Sequence, residues 1–401
     1  MISSLTWLDL TATDRDRVRQ VLRLFDEQGT VDELGLGGLR DVLSNALFPG
    51  TSVLHTRLRY VLFIPWIYRE MESWGGGYDV AYEARRLEVA LIDALNESDD
   101  SSGVIGKYAR ESVTQMASTA YWAFLVHLGI FAAGRNQGWY HTHFDSLLKR
   151  HGDLPRADDP GVVWTREPTW HPRLPAAPGG FPKGADFALT NEEAQFVLGR
   201  FLERCPGSLL AWLAQEASSE LATEFWDEPL TWRAPEAITR VAELGRRFSL
   251  HVEGAPLLYN LLLAELRFSS EGREADGDRI EQYRLELTEW AALESAEAPF
   301  DPAELWQLVA SRGGRLLPQQ QRFVERWTGF INEHGAVAVV DSDDLRQLIR
   351  AREQQLKGPR ARTVNRGRLL DWSGRVGVGR MRFRWPNVRQ LLIDLHHGLE
   401  N

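Results

Sequence analysis

The sequence predicts a mainly α-helical protein, and three features of the chain lead to that prediction. Apolar residues recur at helical spacing along most of the 401 residues. One proline-rich stretch interrupts the pattern, and the balance of charge reverses near the C-terminal end. We therefore expect four segments: a helical domain at 1–151, a proline-rich ordered connector at 152–189, an acidic helical domain at 190–344 and a basic C-terminal module at 345–401.

The composition narrows the class of protein. Hydrophobic residues make up 43% of the chain and charged residues 25%, as in ordinary soluble globular proteins. No stretch reaches the roughly 18 uninterrupted apolar residues of a membrane span, and the first nine residues lack the pattern of a secretory signal. The single cysteine, Cys205, excludes an internal disulfide and cysteine-based metal sites. We expect a cytoplasmic protein without membrane contact.

The first segment contains four stretches with apolar residues on one helical face. Pro49-Gly50 ends the second stretch, and Pro65 falls inside the third, where the missing N–H should kink the helix. The predicted helices of this part cover residues 13–28, 36–47, 53–74 and 80–95.

Residues 107–140 have the order of elements of a winged helix-turn-helix. Helices at 107–116 and 119–128 are separated by Ala117-Ser118, and the sequence after Gly129 predicts a hairpin that returns at Trp139-Tyr140. A helix that reads DNA should expose polar residues, but this one is rich in aromatic residues. These residues are Tyr121, Trp122 and Phe124, next to Leu125. Some of them must belong to the core, and the aromatic excess suits a protein interface better than a DNA-reading surface.

The connector and the acidic domain differ clearly in composition. Seven of the 18 prolines lie within 152–189, together with several aromatic residues, which is typical of an ordered strap rather than a flexible linker. A capping box of Thr190 and Glu193 then starts a new helix. From there to the C-terminus we predict helices at 191–204, 208–220, 235–249, 256–270, 278–294, 302–311, 318–333, 342–356 and 387–399.

The charge reversal marks the basic module. Residues 190–344 carry 28 acidic and 14 basic side chains, whereas 346–389 carry 13 basic side chains and only two acidic ones. Of the 46 basic residues in the chain four are lysines, so 42 are arginines, a bias that a GC-rich genome explains. The net charge of −10 argues against a polyanion-binding surface over the whole protein, but it does not exclude a local basic face.

Common catalytic motifs are absent from the sequence. A restriction-type nuclease core needs a carboxylate two residues before a lysine, and none of the four lysines has one. The sequence also lacks a Gly-Lys-Ser/Thr phosphate loop, a Gly-x-Ser-x-Gly elbow and a His-Glu-x-x-His motif. We therefore predict no catalytic residue, no cofactor and no metal, and we leave open whether the protein is an enzyme.

The arginines of the basic module are the candidate nucleic-acid contacts. Guanidinium groups bind phosphate through paired hydrogen bonds, and the neighbouring aromatic residues could stack on bases. Gly374, Gly377 and Gly379 would allow a tight hairpin. Its strand would place three of the arginines on one face and Met381, Phe383 and Trp385 on the other. The eight candidates are Arg360, Arg362, Arg366, Arg368, Arg375, Arg380, Arg382 and Arg384.

Two alternatives to DNA contact stay open. The arginines could instead pair with the acidic domain of the same chain, which would make the protein a purely structural adaptor. The pattern His141-x-His143-x-Asp145 could belong to the site of a metal-dependent enzyme, because alternate residues of a strand point the same way.

Several motifs together resemble an uncharacterised bacterial domain-of-unknown-function family of about 400 residues. They are the segments 32–41, 47–52, 56–60, 63–68, 118–122, 129–130 and 187–194, beginning with Asp-Glu-Leu-Gly-Leu-Gly-Gly-Leu-Arg-Asp. The resemblance covers most of the chain and implies a setting among restriction-modification and anti-phage defence genes. It supplies no catalytic residue.

These observations favour a non-catalytic subunit of a bacterial defence complex. On this hypothesis the protein contacts the DNA backbone through its C-terminal arginines. It would bind other proteins of the defence system through aromatic helical surfaces.

Overall fold

The computed structural model describes residues 32–152, 168–272, 274–314 and 317–401. Within these ranges the chain forms fourteen α-helices and no β-strand, which confirms the prediction of a mainly α protein. None of the helices in the described ranges has the length and apolar character needed to cross a bilayer. The helices are α1 (Gly37–Leu47), α2 (Tyr60–Ser73), α3 (Val80–Asn96), α4 (Ala117–His127), α5 (Gln137–Gly152), α6 (Asn191–Arg204), α7 (Leu209–Glu216), α8 (Glu236–Glu271), α9 (Glu274–Ser295), α10 (Pro302–Ser311), α11 (Pro318–His334), α12 (Asp343–Lys357), α13 (Arg366–Leu370) and α14 (Trp385–Glu400).

The chain divides into two compact units, each assembled from separate segments. The first unit comprises residues 1–43 and 243–383, and the second comprises 44–242 and 384–401. The predicted helix at 13–28 lies outside the described residues.

Helix ends with strong capping signals lie where the sequence predicts them. The hydroxyl of Thr190 accepts from the backbone N–H of Glu193, and the Glu193 carboxylate accepts from the N–H of Thr190, so the predicted capping box of α6 is confirmed. At the start of α10, Asp301 accepts from the N–H of Ala303, and Pro302 occupies the first helical turn. Both helices have the predicted bounds.

Helix α8 is continuous where the sequence predicts two helices, 235–249 and 256–270. Gly254 and Pro256 suggested a break, but packing requires the glycine, since a Cβ there would lie 2.5 Å from the ring of Trp290 in α9. Pro256 removes one helical hydrogen bond. Its carbonyl accepts from the side chain of Asn260 at 2.7 Å. Burial of the surrounding apolar residues outweighs the weak local propensity.

The second unit has an aromatic core that joins α2, α4 and α5. The ring of Tyr68 meets Trp122 and Tyr140 edge-on, with centroids 5.3 and 5.2 Å away. Tyr121 and Phe124 are also buried. The aromatic residues of α4 therefore fill the core, as expected for some of them, and none of these three side chains is exposed for the predicted protein interface.

The proline-rich segment is ordered over the part that the structure describes, residues 168–189. Trp170 is buried beside Phe131, and the two residues form an isolated antiparallel bridge. Farther along, the carbonyl of Pro175 accepts from the indole N–H of Trp66 at 2.8 Å, and Phe181 stacks on Phe63. Residues 153–167 lie outside the described part of the chain.

The winged-helix prediction is not confirmed. Residues 107–116 form turns with a short 3-10 helix at Arg110–Ser112, and the chain from Gln137 onward is α5 instead of the returning strand of a hairpin. Asn136 starts α5 because its side chain accepts from the N–H of Trp139 at 2.7 Å. Phe131 and Tyr140, which the predicted hairpin places on its two strands, are buried in the aromatic core instead.

A buried ion pair between Arg57 and Asp394 links segments 337 residues apart in the second unit. The Nε–H of Arg57 lies 3.1 and 3.0 Å from the two oxygens of Asp394, and the N–H of Leu58 donates to the same carboxylate at 2.8 Å. The guanidinium also packs over the ring of Phe187. Asp394 therefore fixes α14 against the segment that precedes α2.

We expect Asp394→Ala to lower the free energy of unfolding by about 3–5 kcal/mol, because the substitution leaves the Arg57 charge buried with a weaker set of partners. Asp99→Ala removes an exposed carboxylate of the same unit and should change stability by less than about 0.5 kcal/mol. Urea denaturation of both variants tests this difference. Equal stability of the two variants would contradict a structural role for the pair.

Candidate nucleic-acid interface

The basic segment 357–384 folds as short helical turns and a loop. A 3-10 turn at Gly358–Arg360 precedes α13, and Asn365 caps α13 by accepting from the N–H of Arg368 at 3.0 Å. The remainder forms no strand, so the strand predicted there is wrong, although Phe383 and Trp385 are buried and Arg380, Arg382 and Arg384 are partly exposed. Phe383 and Arg384 adopt positive φ angles of 50° and 69°, which end an extended run.

Arg362 belongs to a half-buried charge cluster in the first unit. Its guanidinium donates to Glu33 at 2.8 Å and to the hydroxyl of Tyr259 at 3.2 Å. Lys357 also donates to Glu33, and it donates to Glu353 at 3.2 Å. Burial and the neighbouring charge of Arg362 lower the pKa of Lys357 to about 8. Arg362 is thus a partner of carboxylates within its own unit.

Three further candidate arginines bond to groups of the protein. Arg375 donates to both oxygens of Glu286 at 2.8 and 3.0 Å, although half of its side chain is exposed. Arg380 donates to the carbonyl of Arg246 at 2.9 Å. In the second unit, Arg384 donates to Asn45 and to the carbonyl of Thr51. Arg382 is half-buried.

The most exposed candidates lie close together in the sequence. Residues 357–370 contain five basic side chains and no acidic one. Arg360 is exposed, and the side chains of Arg366 and Arg368 are 70% and 57% exposed. Arg366 donates to Glu271 at 2.5 Å, and Arg368 lies 3.9 Å from Asp371. We call Arg360, Arg366 and Arg368 the exposed arginine group.

Arg362→Ala should lower the free energy of unfolding more than Arg360→Ala does, although the two residues are close in sequence. Loss of Arg362 removes a hydrogen-bonding partner of buried Glu33 and should cost about 1–3 kcal/mol. Loss of exposed Arg360 should cost less than about 0.5 kcal/mol. Thermal and urea unfolding compare the two variants; a larger loss for Arg360→Ala would show that the assignment of structural and surface roles is wrong.

The structure does not bring His141, His143 and Asp145 together as metal ligands. All three lie on α5, where His141 bonds to the hydroxyl of Tyr68 at 2.8 Å and Asp145 accepts from the N–H of Gly77 at 3.1 Å. His143 bonds to a carbonyl of its own helix. In the described ranges no group of three or more histidine, cysteine, aspartate or glutamate side chains could hold a metal ion.

A buried triad in the first unit has the order of groups found in hydrolases. His251 bonds to Glu294 at 2.7 Å through Nδ1 and to the hydroxyl of Thr328 at 2.8 Å through Nε2. The side chain of His251 is completely buried, and Glu294 is also paired with Arg247. A substrate cannot reach the hydroxyl, so these bonds join α8, α9 and α11.

A second buried network lies in the other unit. The carboxylate of Glu88 accepts from the hydroxyl and the backbone N–H of Ser118 at 2.6 and 2.9 Å. Gln137 donates to Ser118 and to Tyr68, whose hydroxyl also bonds to His141. Burial raises the pKa of Glu88 to about 7. Glu88 belongs to no recognisable sequence motif, although its place on the apolar face of α3 was a signal of a buried role.

Glu88→Gln should remove a pH dependence of stability. The pKa of folded Glu88 lies above the ordinary value of 4.5, so its protonation stabilises the fold below pH 4.5, and this contribution disappears as the pH rises through 7. The amplitude is at most roughly 3 kcal/mol. Urea unfolding at pH 5 to 8 should show a wild-type decline that the variant lacks.

Glu97→Gln is the control for this measurement, because Glu97 is exposed at the end of the same helix. It should retain the wild-type pH dependence. Parallel curves for wild type and Glu88→Gln would mean that the Glu88 carboxyl does not titrate as proposed.

A cavity of about 710 Å³ in the second unit has the wrong charge for a polyanion. Its described lining includes the carboxylates of Glu97, Asp99, Asp100, Asp186 and Asp394, but besides His397 only two basic side chains. Those basic residues are Arg57, which already pairs with Asp394, and Lys183. The cavity therefore disfavours phosphate, and it does not extend the exposed arginine group.

The fold and the site together define a helical protein whose buried polar networks are closed to substrate. In one segment, residues 357–370, the charged side chains are all basic, and several are exposed. Comparison with known families identifies the chain as a member of a family of unknown function (DUF6361), which matches residues 2–397. The resemblance to an uncharacterised family is thus confirmed. No curated protein and no solved structure matches the chain.

Proposed function

We propose that the protein is a non-catalytic, DNA-associated subunit of a bacterial anti-phage defence complex. The observation that supports DNA contact is the exposed arginine group within a run of five basic residues and no acidic residue. The defence setting is supported by the resemblance of the motifs alone. A cytoplasmic location agrees with this proposal and is itself a prediction.

The exposed arginine group can exchange its present partners for phosphate. Ion pairs between exposed side chains contribute only about 0–1 kcal/mol, because water and salt screen them. The contacts of Arg366 and Arg368 with carboxylates are of this kind. A row of DNA phosphates offers several charge-assisted hydrogen bonds and the release of counterions. The gain should exceed the loss of the two surface pairs.

Partner proteins of the complex would need a different surface from α4, whose aromatic residues are buried. Trp74 and Tyr82, which are 43% and 63% exposed in the second unit, are better candidates. Arg86 lies 5.9 Å over the ring of Trp74, so the patch combines aromatic and cationic groups that protein interfaces favour.

Binding of labelled duplex DNA at several salt concentrations tests the proposal. The triple variant Arg360→Ala/Arg366→Ala/Arg368→Ala should bind more weakly than wild type. The slope of log K against log salt should become shallower by about 0.9 for each DNA phosphate that the variant no longer neutralises. Fluorescence anisotropy measures both quantities.

The matched control is Arg69→Ala/Arg173→Ala/Arg233→Ala, which removes the same charge from exposed arginines of the second unit. It should bind DNA like wild type. An equal reduction of affinity in the two triple variants would indicate a general charge effect and would contradict a specific contact at 360–368.

The alternative function is a structural adaptor without DNA contact. The bonds of Arg362, Arg375 and Arg380 to groups of the first unit favour it, because they engage much of the basic segment internally. Absence of DNA binding by the folded wild-type protein would support the adaptor and overturn the DNA-associated function.

A further inference from the structure

A second basic feature of the first unit lies between α11 and α12. The two helices enclose a groove of about 290 Å³ whose lining includes the buried ring of Phe323. Its polar lining consists of Gln319, Arg322, Arg326, Arg352 and Gln355. None of these residues belongs to a recognisable sequence motif, because they come from the end of the acidic domain and the start of the basic module.

Among the described residues that line the groove are three arginines and no acidic side chain. Arg326 is exposed and makes no hydrogen bond or ion pair with the described residues. Arg322, one helical turn earlier, donates only to the carbonyl of Pro318 in its own helix, at 3.2 Å. Residues four apart lie on the same face of a helix, so the two guanidinium groups are neighbours.

Arg352 differs from the other two because it is buried and held in place. Its Nε–H donates to the carbonyl of Leu34 at 2.8 Å, and its two Nη groups donate to Gln355 at 3.0 Å and to the carbonyl of Gly35 at 3.2 Å. A guanidinium has five N–H donors, so two are left without a bond to the described residues. The three acceptors are uncharged. The carboxylate of Asp32 acts on Arg352 through its charge alone, because it accepts from the backbone N–H groups of Leu36 and Gly37 instead.

We infer that the groove between α11 and α12 binds a phosphate group, carried by a nucleotide or by a nucleic-acid backbone. Three guanidinium groups without a carboxylate suit a ligand with more than one negative charge, and planar guanidinium groups hold phosphate oxygens through paired hydrogen bonds. The amides of Gln319 and Gln355 add donors and acceptors for the rest of the ligand. The inference does not depend on the proposed DNA contact at 360–368.

Two probes distinguish the sources of phosphate. Inorganic pyrophosphate represents a free phosphate ligand, and a fluorescein-labelled single-stranded oligonucleotide represents the backbone. Calorimetry measures the first and fluorescence anisotropy the second, with full-length wild type and the variant Arg322→Gln/Arg326→Gln. We expect the variant to weaken binding of at least one probe about tenfold or more, since it lacks two charge-assisted hydrogen-bonding groups.

Arg173→Gln/Arg233→Gln removes two exposed arginines of the second unit and should leave both affinities unchanged. Arg322→Lys/Arg326→Lys keeps the charge without the guanidinium fork and should restore only part of the affinity. If Arg322→Gln/Arg326→Gln weakens binding of pyrophosphate but not of the oligonucleotide, the groove binds a free phosphate ligand. If it weakens binding of the oligonucleotide but not of pyrophosphate, the groove binds the nucleic-acid backbone.

The inference would be overturned if wild type bound neither probe, or if the groove variant and the control bound both with wild-type affinity. Its failure is distinguishable from failure of the proposed function, because the exposed arginine group is intact in every groove variant. A groove variant that keeps duplex binding while losing pyrophosphate binding would separate the two sites directly.

Discussion

The pairing of Arg57 with Asp394 shows the constraint on which much of this structure depends, namely that a buried charge needs a partner inside the fold. Removing a guanidinium and a carboxylate from water costs several kcal/mol for each group, and only close contacts with good geometry offset that cost. In the second unit this requirement ties α14 to the segment before α2. In the first unit, Arg267 with Asp276 and Arg247 with Glu294 meet the same requirement.

The same constraint separates the candidate arginines by role. Arg362 contacts Glu33, whose side chain is almost fully buried. The charge of Arg362 therefore stabilises a carboxylate inside the first unit. Arg360 lies two residues away and is exposed. Arg322 and Arg326 in the groove likewise lack carboxylate partners among the described residues. Anionic ligands are therefore expected at the exposed arginine group and in the groove.

The buried polar networks show why catalytic geometry alone does not define an active site. Glu294, His251 and Thr328 have the bonding order of a hydrolytic triad, but all three are buried and the histidine stacks on Phe300. Burial also lowers the pKa of His251. A general base must be accessible to the proton that it removes. These bonds support packing of the first unit, and the proposed activities of the protein concern binding.

The sequence by itself determined the helical class, most helix positions and the capped starts of α6 and α10, because these depend on apolar spacing and local capping. The tertiary structure alone decided that α8 continues through Gly254 and Pro256, where the approach of Trp290 requires a glycine. It also decided that the chain from Gln137 onward forms a helix, and that Arg362 pairs with Glu33 whereas Arg360 is exposed. Local patterns fix which helices form, whereas the partner of a buried charge and the exposure of an arginine depend on residues far away in the chain.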